Sequence, residues 1–348
     1  MPNSPKSLRL LVVRLGAMGD ILHSLPAVTA LRQAHPDWFI GWAIEPQWRG
    51  LFAANGCRPR TPGMPLVDCL HIIPAKKWAK SPLSPSTWQE MRKVRREIRD
   101  TQYDVAVDLQ GAVRSAMFAR WARTRRVIGE AVPREMPAKW LFDERIATHG
   151  VHVIEQSIEV ASAIAEENLP MTLPLLPREP DADARAAQLP EPSVLLSPGA
   201  GWGAKRWPPD RYGAVARNLA AAGYSVLINS GPAEEHLARE IVAASNGAAH
   251  ILSLDMVGLI AVTRRAALAI AGDTGPLHLA CALGKPVVGI FGPTDPARNG
   301  PFHCHSRVLR HPESVRDHTR RSQPEAGLLT ITTEAVTEAA LELLQEVR

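Results

Sequence analysis

Gly272-Asp273-Thr274-Gly275 is the stretch whose residue types and spacing point most directly to chemistry. Before it, Ala266 to Ala271 reads as a short buried strand; after it, Pro276 to Leu283 reads as a helix that opens with Pro, where a missing N–H costs nothing. A turn in that setting offers free backbone N–H groups and the positive end of a helix dipole. Gly275 stands where a backbone must come close to something. Those are the requirements for holding a pyrophosphate or a similar anion. Asp273 and Thr274 complete the turn, and His278 lies one turn into the helix, where a lone His is more often structural than functional. A second strand and Gly-Pro turn follow at once, from Lys285 to Pro296. Two strand ends carrying polar turns side by side imply a ligand at the carboxyl edge of a parallel sheet.

Asp20 ends a Gly-rich loop, Leu15-Gly16-Ala17-Met18-Gly19-Asp20, that follows the first strand and opens a helix. It suits two roles, helix N-cap or general base toward an attacking hydroxyl. The loop lacks the G-x-G-x-x-G spacing, which argues against hydride transfer. Three glycines clear space in the loop from Pro198 to Pro208, and Lys205 within it could meet the charge of a departing diphosphate. Glu235, just inside the helix after Gly231-Pro232, could accept hydrogen bonds from ribose hydroxyls or simply complement the helix dipole. Lys76, Lys77 and Lys80, with Trp78 among them, form a basic loop suited to a phosphorylated acceptor, and Arg114, past Gln110-Gly111, is a second candidate. Arg92, Lys93, Arg95, Arg96 and Arg99 read as the solvated face of the next helix. Asp181-Ala182-Asp183 and His303-Cys304-His305 imitate metal motifs by letter only: one lies among prolines, the other is three consecutive residues without a fourth ligand. No metal site is expected.

The elements that must position these residues alternate. The first half reads as a strand at Leu8–Arg14, a helix at 21–34 and a strand at 38–44. An amphipathic helix at 86–101 has a capping box from Ser86 and Gln89 and an inner face of Trp88, Met91, Val94 and Ile98; a strand at 103–109 and another helix follow. Six prolines between Pro170 and Pro192 mark a linker at 171–192. The alternation then restarts: a strand at 193–197, helices at 210–222 and from Ala233, a strand at 224–229, a helix at 254–265, and a last helix from Thr333. The expected domains are therefore 1–170 and 193–348, with the last helix a candidate to pack back on the first. The chain has 348 residues, long enough for two domains. Residues 1–150 hold 23 Lys and Arg against 13 Asp and Glu, a surplus of +10, whereas residues 151–348 hold 17 against 22, or −5. An anionic partner should meet the first half. Four cysteines without a regular framework fit a reducing compartment, the opening residues do not read as a secretory signal, and no apolar run approaches the ~20 residues of a membrane span. A cytoplasmic protein is expected. Two similar α/β halves, with nucleotide-type turns in the second, imply the GT-B glycosyltransferase architecture: two Rossmann-like domains facing each other across a cleft.

Taken in order, RLGAMGDILHSLPAVTALR, YDVAVDLQGAVRSA, GAKRWP, GPAEE and GDTGPLHLACALGKPVVGIFGPTDP resemble the lipopolysaccharide heptosyltransferases, glycosyltransferase family 9, over nearly the whole chain. The resemblance implies inverting, metal-independent transfer of heptose from ADP-heptose, with no cofactor. It implies Asp20 as base and Lys205, Glu235, Asp273, Thr274, Gly275 and His278 as donor-binding residues. The Lys76–Lys80 segment is similar to the acceptor loop of heptosyltransferase I, which implies Kdo-lipid A as acceptor and contact with the cytoplasmic face of the inner membrane. The Asp108–Gly111 stretch leans the same way, whereas the loop from Pro198 to Ala204 is closer to other members of the family. Two other readings stay open: a GT-B nucleotide-sugar enzyme of another kind, such as an epimerase, and a polyanion-binding protein. Against nucleic acid, the aromatics are not interleaved with the basic residues.

Overall fold

A pentapeptide such as RLLVV, with no polar alternation, is the mark of a strand covered on both faces. In the computed structural model, which describes residues 7–231, 234–314 and 323–346, such strands build two separate units, Met1–Pro177 and Arg178–Arg348. Pro232 and Ala233, the expected turn and helix start, lie outside the described residues, as do the first six residues of the chain.

The first unit runs β1 (Arg9–Val13), α1 (Met18–Ala34), β2 (Phe39–Ile44), β3 (Cys69–Ile72), α2 (Ala75–Lys80), α3 (Pro85–Asp100), β4 (Val105–Asp108), α4 (Val113–Arg120), β5 (Arg126–Glu130), β6 (Glu144–Ile146) and α5 (Val153–Ala165). Its described strands form one parallel sheet in the order β3-β2-β1-β4-β5-β6. The order reverses beside β1, so the carboxyl ends of β1 and β4 flank the switch point where ligands of such sheets sit.

The second unit repeats the plan. Its elements are α6 (Pro180–Ala187), β7 (Ser193–Ser197), α7 (Pro209–Ala221), β8 (Ser225–Ser230), α8 (Glu235–Ala244), β9 (Ala249–Ser253), α9 (Met256–Arg265), β10 (Leu268–Gly272), α10 (Gly275–Ala282), β11 (Val287–Phe291), α11 (Pro296–Asn299), β12 (Ser306–Arg310), α12 (Ala326–Thr330) and α13 (Thr333–Glu346). The sheet order is β12-β11-β10-β7-β8-β9, again parallel throughout. β7 and β10 flank this switch point, and they carry the Lys205 loop and the GDTG turn.

Within its own unit the last helix, α13, packs on α7 and on β10, β11 and β12. Three expectations change. The proline-rich segment is not free of regular structure: α6 forms within it, packs on α9, and buries Ala182 and Ala186. Pro180 stands at the first helical position, where Pro is tolerated. Asp181 and Asp183 therefore lie in the first turn of that helix. The basic Lys76–Lys80 segment is helical rather than a loop. Finally, α3 starts one residue early with Ser84 as N-cap, so the Ser86–Gln89 capping box does not form, and Trp88 is 50% exposed. The buried stripe is Thr87, Met91, Val94 and Ile98.

Candidate functional site

In the second unit, β10 delivers Gly272 and Asp273 to the sheet's carboxyl edge and α10 starts two residues later. The Thr274 hydroxyl donates to the Gly272 carbonyl at 3.2 Å, so no side chain caps α10. The first N–H groups of a helix have no partner within it, and Pro276 supplies none. The N–H groups of Gly275 and Leu277 are thus the donors that the turn offers to an anion. Asp273 sits beneath them, 8% exposed. His278 Nε2 lies 3.0 Å from its Oδ1, and Lys205 Nζ donates to its Oδ2. Burial opposes ionisation of Asp273, but the His278 hydrogen bond and the charges of His278 and Lys205 outweigh it and hold the carboxyl well below the usual range. Lys205 comes from a short 3-10 turn after β7 and also lies over the Trp202 ring, 4.5 Å from its centroid. Gly272 permits the approach: a Cβ there would meet the Lys205 carbonyl at 3.3 Å. The structure therefore brings Lys205, Asp273, Thr274, Gly275 and His278 together.

Glu235 does not join them. It is 62% exposed and pairs with Arg239 at 2.6 Å, one turn along α8. Its neighbour Glu234 turns toward the β7 edge instead, so close over Gly199 that a Cβ on that glycine would fall 2.1 Å from the Glu234 Oε1. Two adjacent acids look alike in sequence; the contact at Gly199 separates them. Thr294, after β11, is a further residue that sequence reasoning passes over. It is 3% exposed, and its hydroxyl has no hydrogen-bond partner among the described residues. The conspicuous GPTDP turn was the signal for it.

In the first unit, Asp20 is not the N-cap of α1 but its third residue, where it accepts the Ala17 N–H at 3.1 Å. Arg14, the residue after β1, reaches its Oδ1 at 3.4 Å, and the Asp20 side chain stays 44% exposed. The support comes from the end of β4. Arg14 donates to the Leu109 carbonyl, and the Gln110 side chain accepts the Leu15 N–H at 2.9 Å. Below them Asp108, 1% exposed, accepts the N–H groups of Gln110 at 2.8 Å and Gly111 at 3.3 Å. Burial pushes its pKa up to about 7 against the pull of those bonds, of Ser115 and of Arg14. Protonation also suits the local bonding. The single Ser115 hydroxyl proton faces two acceptors, Asp108 Oδ2 and the Ala112 carbonyl, each at 2.9 Å. A proton on Oδ2 satisfies both.

The acceptor candidates are more dispersed. Lys76, Lys77 and Lys80 are exposed on α2, and Arg114 is exposed in the first turn of α4. Lys77 is held by Glu90 at 2.6 Å, and the same carboxylate takes the Trp78 indole N–H at 2.9 Å. Lys76 and Lys80, four residues apart, share a helix face. Among the described residues, no group of three or more His, Cys, Asp or Glu side chains is arranged to hold a metal ion.

Two doubly wound units, each with its polar groups at the switch point of a 3-2-1-4-5-6 parallel sheet, define the GT-B class. The chain belongs to glycosyltransferase family 9 (heptosyltransferase), whose sequence profile matches residues 91–328, and it is a glycosyltransferase. It is 27% identical over 301 residues to lipopolysaccharide heptosyltransferase 1 of Pseudomonas aeruginosa, covering 85% of this chain and 81% of that one. It superposes on the E. coli heptosyltransferase WaaC with ADP at a TM-score of 0.79, covering 97% of this chain and all of that one at 24% identity. The same enzyme with ADP-2-deoxy-2-fluoro heptose gives a TM-score of 0.78 over 96% of this chain and 99% of that one, also at 24% identity.

Proposed function

We propose that this glycosyltransferase moves a heptose from ADP-heptose onto the Kdo-lipid A inner core, inverting the anomeric centre without a metal ion. The Lys205–Asp273–His278 set at the uncapped N-terminus of α10, in a chain of family 9, carries the reading. The solved complexes of a family relative with ADP and with a fluorinated ADP-heptose support the choice of donor.

In this reading the donor diphosphate lies against the Gly275 and Leu277 N–H groups and near Lys205. Asp273 and His278 hold that lysine in place, and Glu234, rather than Glu235, faces the ribose hydroxyls. The acceptor's phosphates meet Lys76, Lys80 and Arg114. Asp20 takes the proton of the acceptor hydroxyl as its oxygen bonds to the anomeric carbon. The bond from that carbon to the β-phosphate oxygen breaks on the opposite side, and ADP leaves with its charge met by the helix terminus and Lys205. Transfer of this kind requires the donor's anomeric carbon to reach the hydroxyl beside Asp20. It also requires the enzyme to meet a lipid-linked acceptor at the inner membrane surface as a peripheral visitor, since no helix among the described residues is long and apolar enough to cross a membrane.

The test is ADP release from ADP-heptose with and without Kdo-lipid A. Release should depend on acceptor, and Asp20→Ala should lower it by ~10²–10⁴ while calorimetry shows donor affinity unchanged. Full turnover in Asp20→Ala would remove that residue from the mechanism, and no release from a folded wild type would remove this donor.

A further inference from the structure

We propose that the start of α3, with the turn before it, is a lipid-docking surface that seats the first unit on an anionic bilayer. The surface gives the proposed lipid-linked acceptor its route to the enzyme and rests on that reading for its purpose.

The geometry begins at the buried stripe of α3. With Thr87, Met91, Val94 and Ile98 facing inward, helical spacing places Trp88, Arg92, Arg95 and Arg99 on the adjacent stripe. Leu83 and Trp88 occupy the positions just before the N-cap and four residues after it, which in many helix starts pack together as a staple. Here Leu83 is 88% exposed and Trp88 50%. An aliphatic side chain and an indole held open at one end of a basic helix have the composition of an interfacial anchor.

Most of the charges beside them are unspent. Arg92, Arg95 and Arg96 are exposed and form no ion pair among the described residues, whereas Lys93, also exposed, lends its charge to Glu97. The nearby acids are engaged elsewhere: Glu90 with Lys77 and Trp78, and Glu97 with His71. Farther along the stripe, burial and then the like charges of Arg123 and Arg95 push the Arg99 guanidinium pKa down, with Asp100 only partly opposing them. Like charges crowded this way repel one another until an anionic surface meets them. α2, which presents Lys76 and Lys80, immediately precedes this turn in the chain. A nucleic acid is the weaker occupant, because one Trp and one Leu at the end of the row give bases no series of stacking partners.

The experiment is sedimentation of the full chain with vesicles of phosphatidylcholine alone and of phosphatidylcholine mixed with phosphatidylglycerol. Binding should require the anionic lipid and weaken with salt. Arg92→Glu with Arg95→Glu should lower vesicle affinity about 30-fold or more. Leu83→Ser with Trp88→Ser should lower it about 10-fold at unchanged charge. Both double variants should keep wild-type ADP affinity and melting midpoint, which excludes misfolding as the cause. Wild type that ignores anionic vesicles, or double variants that bind them as the wild type does, overturns the proposal. So does binding of a single-stranded RNA probe, in place of vesicles, that the arginine reversals abolish. No donor or acceptor is present in the assay, so its failure leaves the transferase reading standing. Vesicle binding without heptose transfer would remove that reading and leave the surface.

Discussion

Asp20 owes its place to its surroundings more than to its own helix. Its carboxylate is pinned on one oxygen by the Ala17 N–H and faces the Arg14 guanidinium with the other, and Arg14 is anchored in turn to the Leu109 carbonyl. Arg14 is 13% exposed, and its Nε has no hydrogen-bond partner among the described residues, so its hold rests on the two terminal nitrogens. Replacing it by Met should leave Asp20 free to swing. A misplacement of about 1 Å can cost on the order of 10²-fold, and Arg14→Met is expected to lower kcat about 10- to 100-fold with ADP affinity unchanged. Arg14→Lys, which can serve only one of the two partners well, should recover part of the loss. A fall in ADP affinity instead of kcat would show that Arg14 serves the donor. Nothing in the sequence distinguishes this arginine from its many neighbours; only the contact does. By contrast the turns that carry Asp20, Lys205, Asp273 and His278 were legible, because each follows an apolar strand and is marked by glycine. Glu234 and Glu235 were not separable in sequence, since a helix start tells little about which of two consecutive acids faces the β7 edge.

At the scale of elements, the central strands were legible because strands covered on both faces read as unbroken apolar runs, as in RLLVV and SVLLS. β3, β6 and β12 give no such signal: they are sheet-edge strands, short or mixed with charge. β5 is hidden for another reason. Gly129 interrupts its apolar pattern and reads as punctuation, yet it lies mid-strand opposite Asp108, and a Cβ there would fall 2.4 Å from the Phe142 ring. Phe142 is 3% exposed within the core of this unit and has little room to move. Gly129→Ala should therefore destabilise the first unit by ~1–3 kcal/mol, the usual cost of overpacking, seen as a lower denaturant midpoint. An unchanged midpoint would mean that the ring has room to shift. Trp88 shows the converse limit. A Trp at helical spacing with Met91 and Ile98 reads as core, but the true stripe lies one residue away on Thr87, and no hydropathy count favours threonine over tryptophan.

For the whole molecule, the two units answer pH differently. In the second, Asp273 is held ionised by His278 and Lys205, so its contribution is present above the ordinary carboxyl range and lost only as pH falls through its depressed value. The first unit carries a group with the opposite sense. His71 is fully buried, with Nδ1 3.0 Å from Glu97 on α3 and Nε2 2.7 Å from the Tyr103 hydroxyl, and the Cys69 thiol lies 3.4 Å from Nε2. Burial disfavours the imidazolium, but Cys69 and Glu97 outweigh it and push the pKa up from 6.5 to about 9. A raised histidine pKa contributes stability that is complete below about 6.5 and lost as pH rises through about 9. Allowing for solvent screening at the half-exposed Glu97, the contribution is on the order of 2 kcal/mol. Calorimetry between pH 6.5 and 9.5 should show the transition of the first unit moving down while that of the second moves less. His71→Gln keeps a polar side chain against Tyr103 but cannot titrate. It should lower the first transition at pH 6.5 and flatten its dependence above that pH. If His71→Gln keeps the wild-type slope, the imidazolium is not what binds β3 to α3, and the Tyr103 hydroxyl packed on Gly41 would have to hold that edge without it.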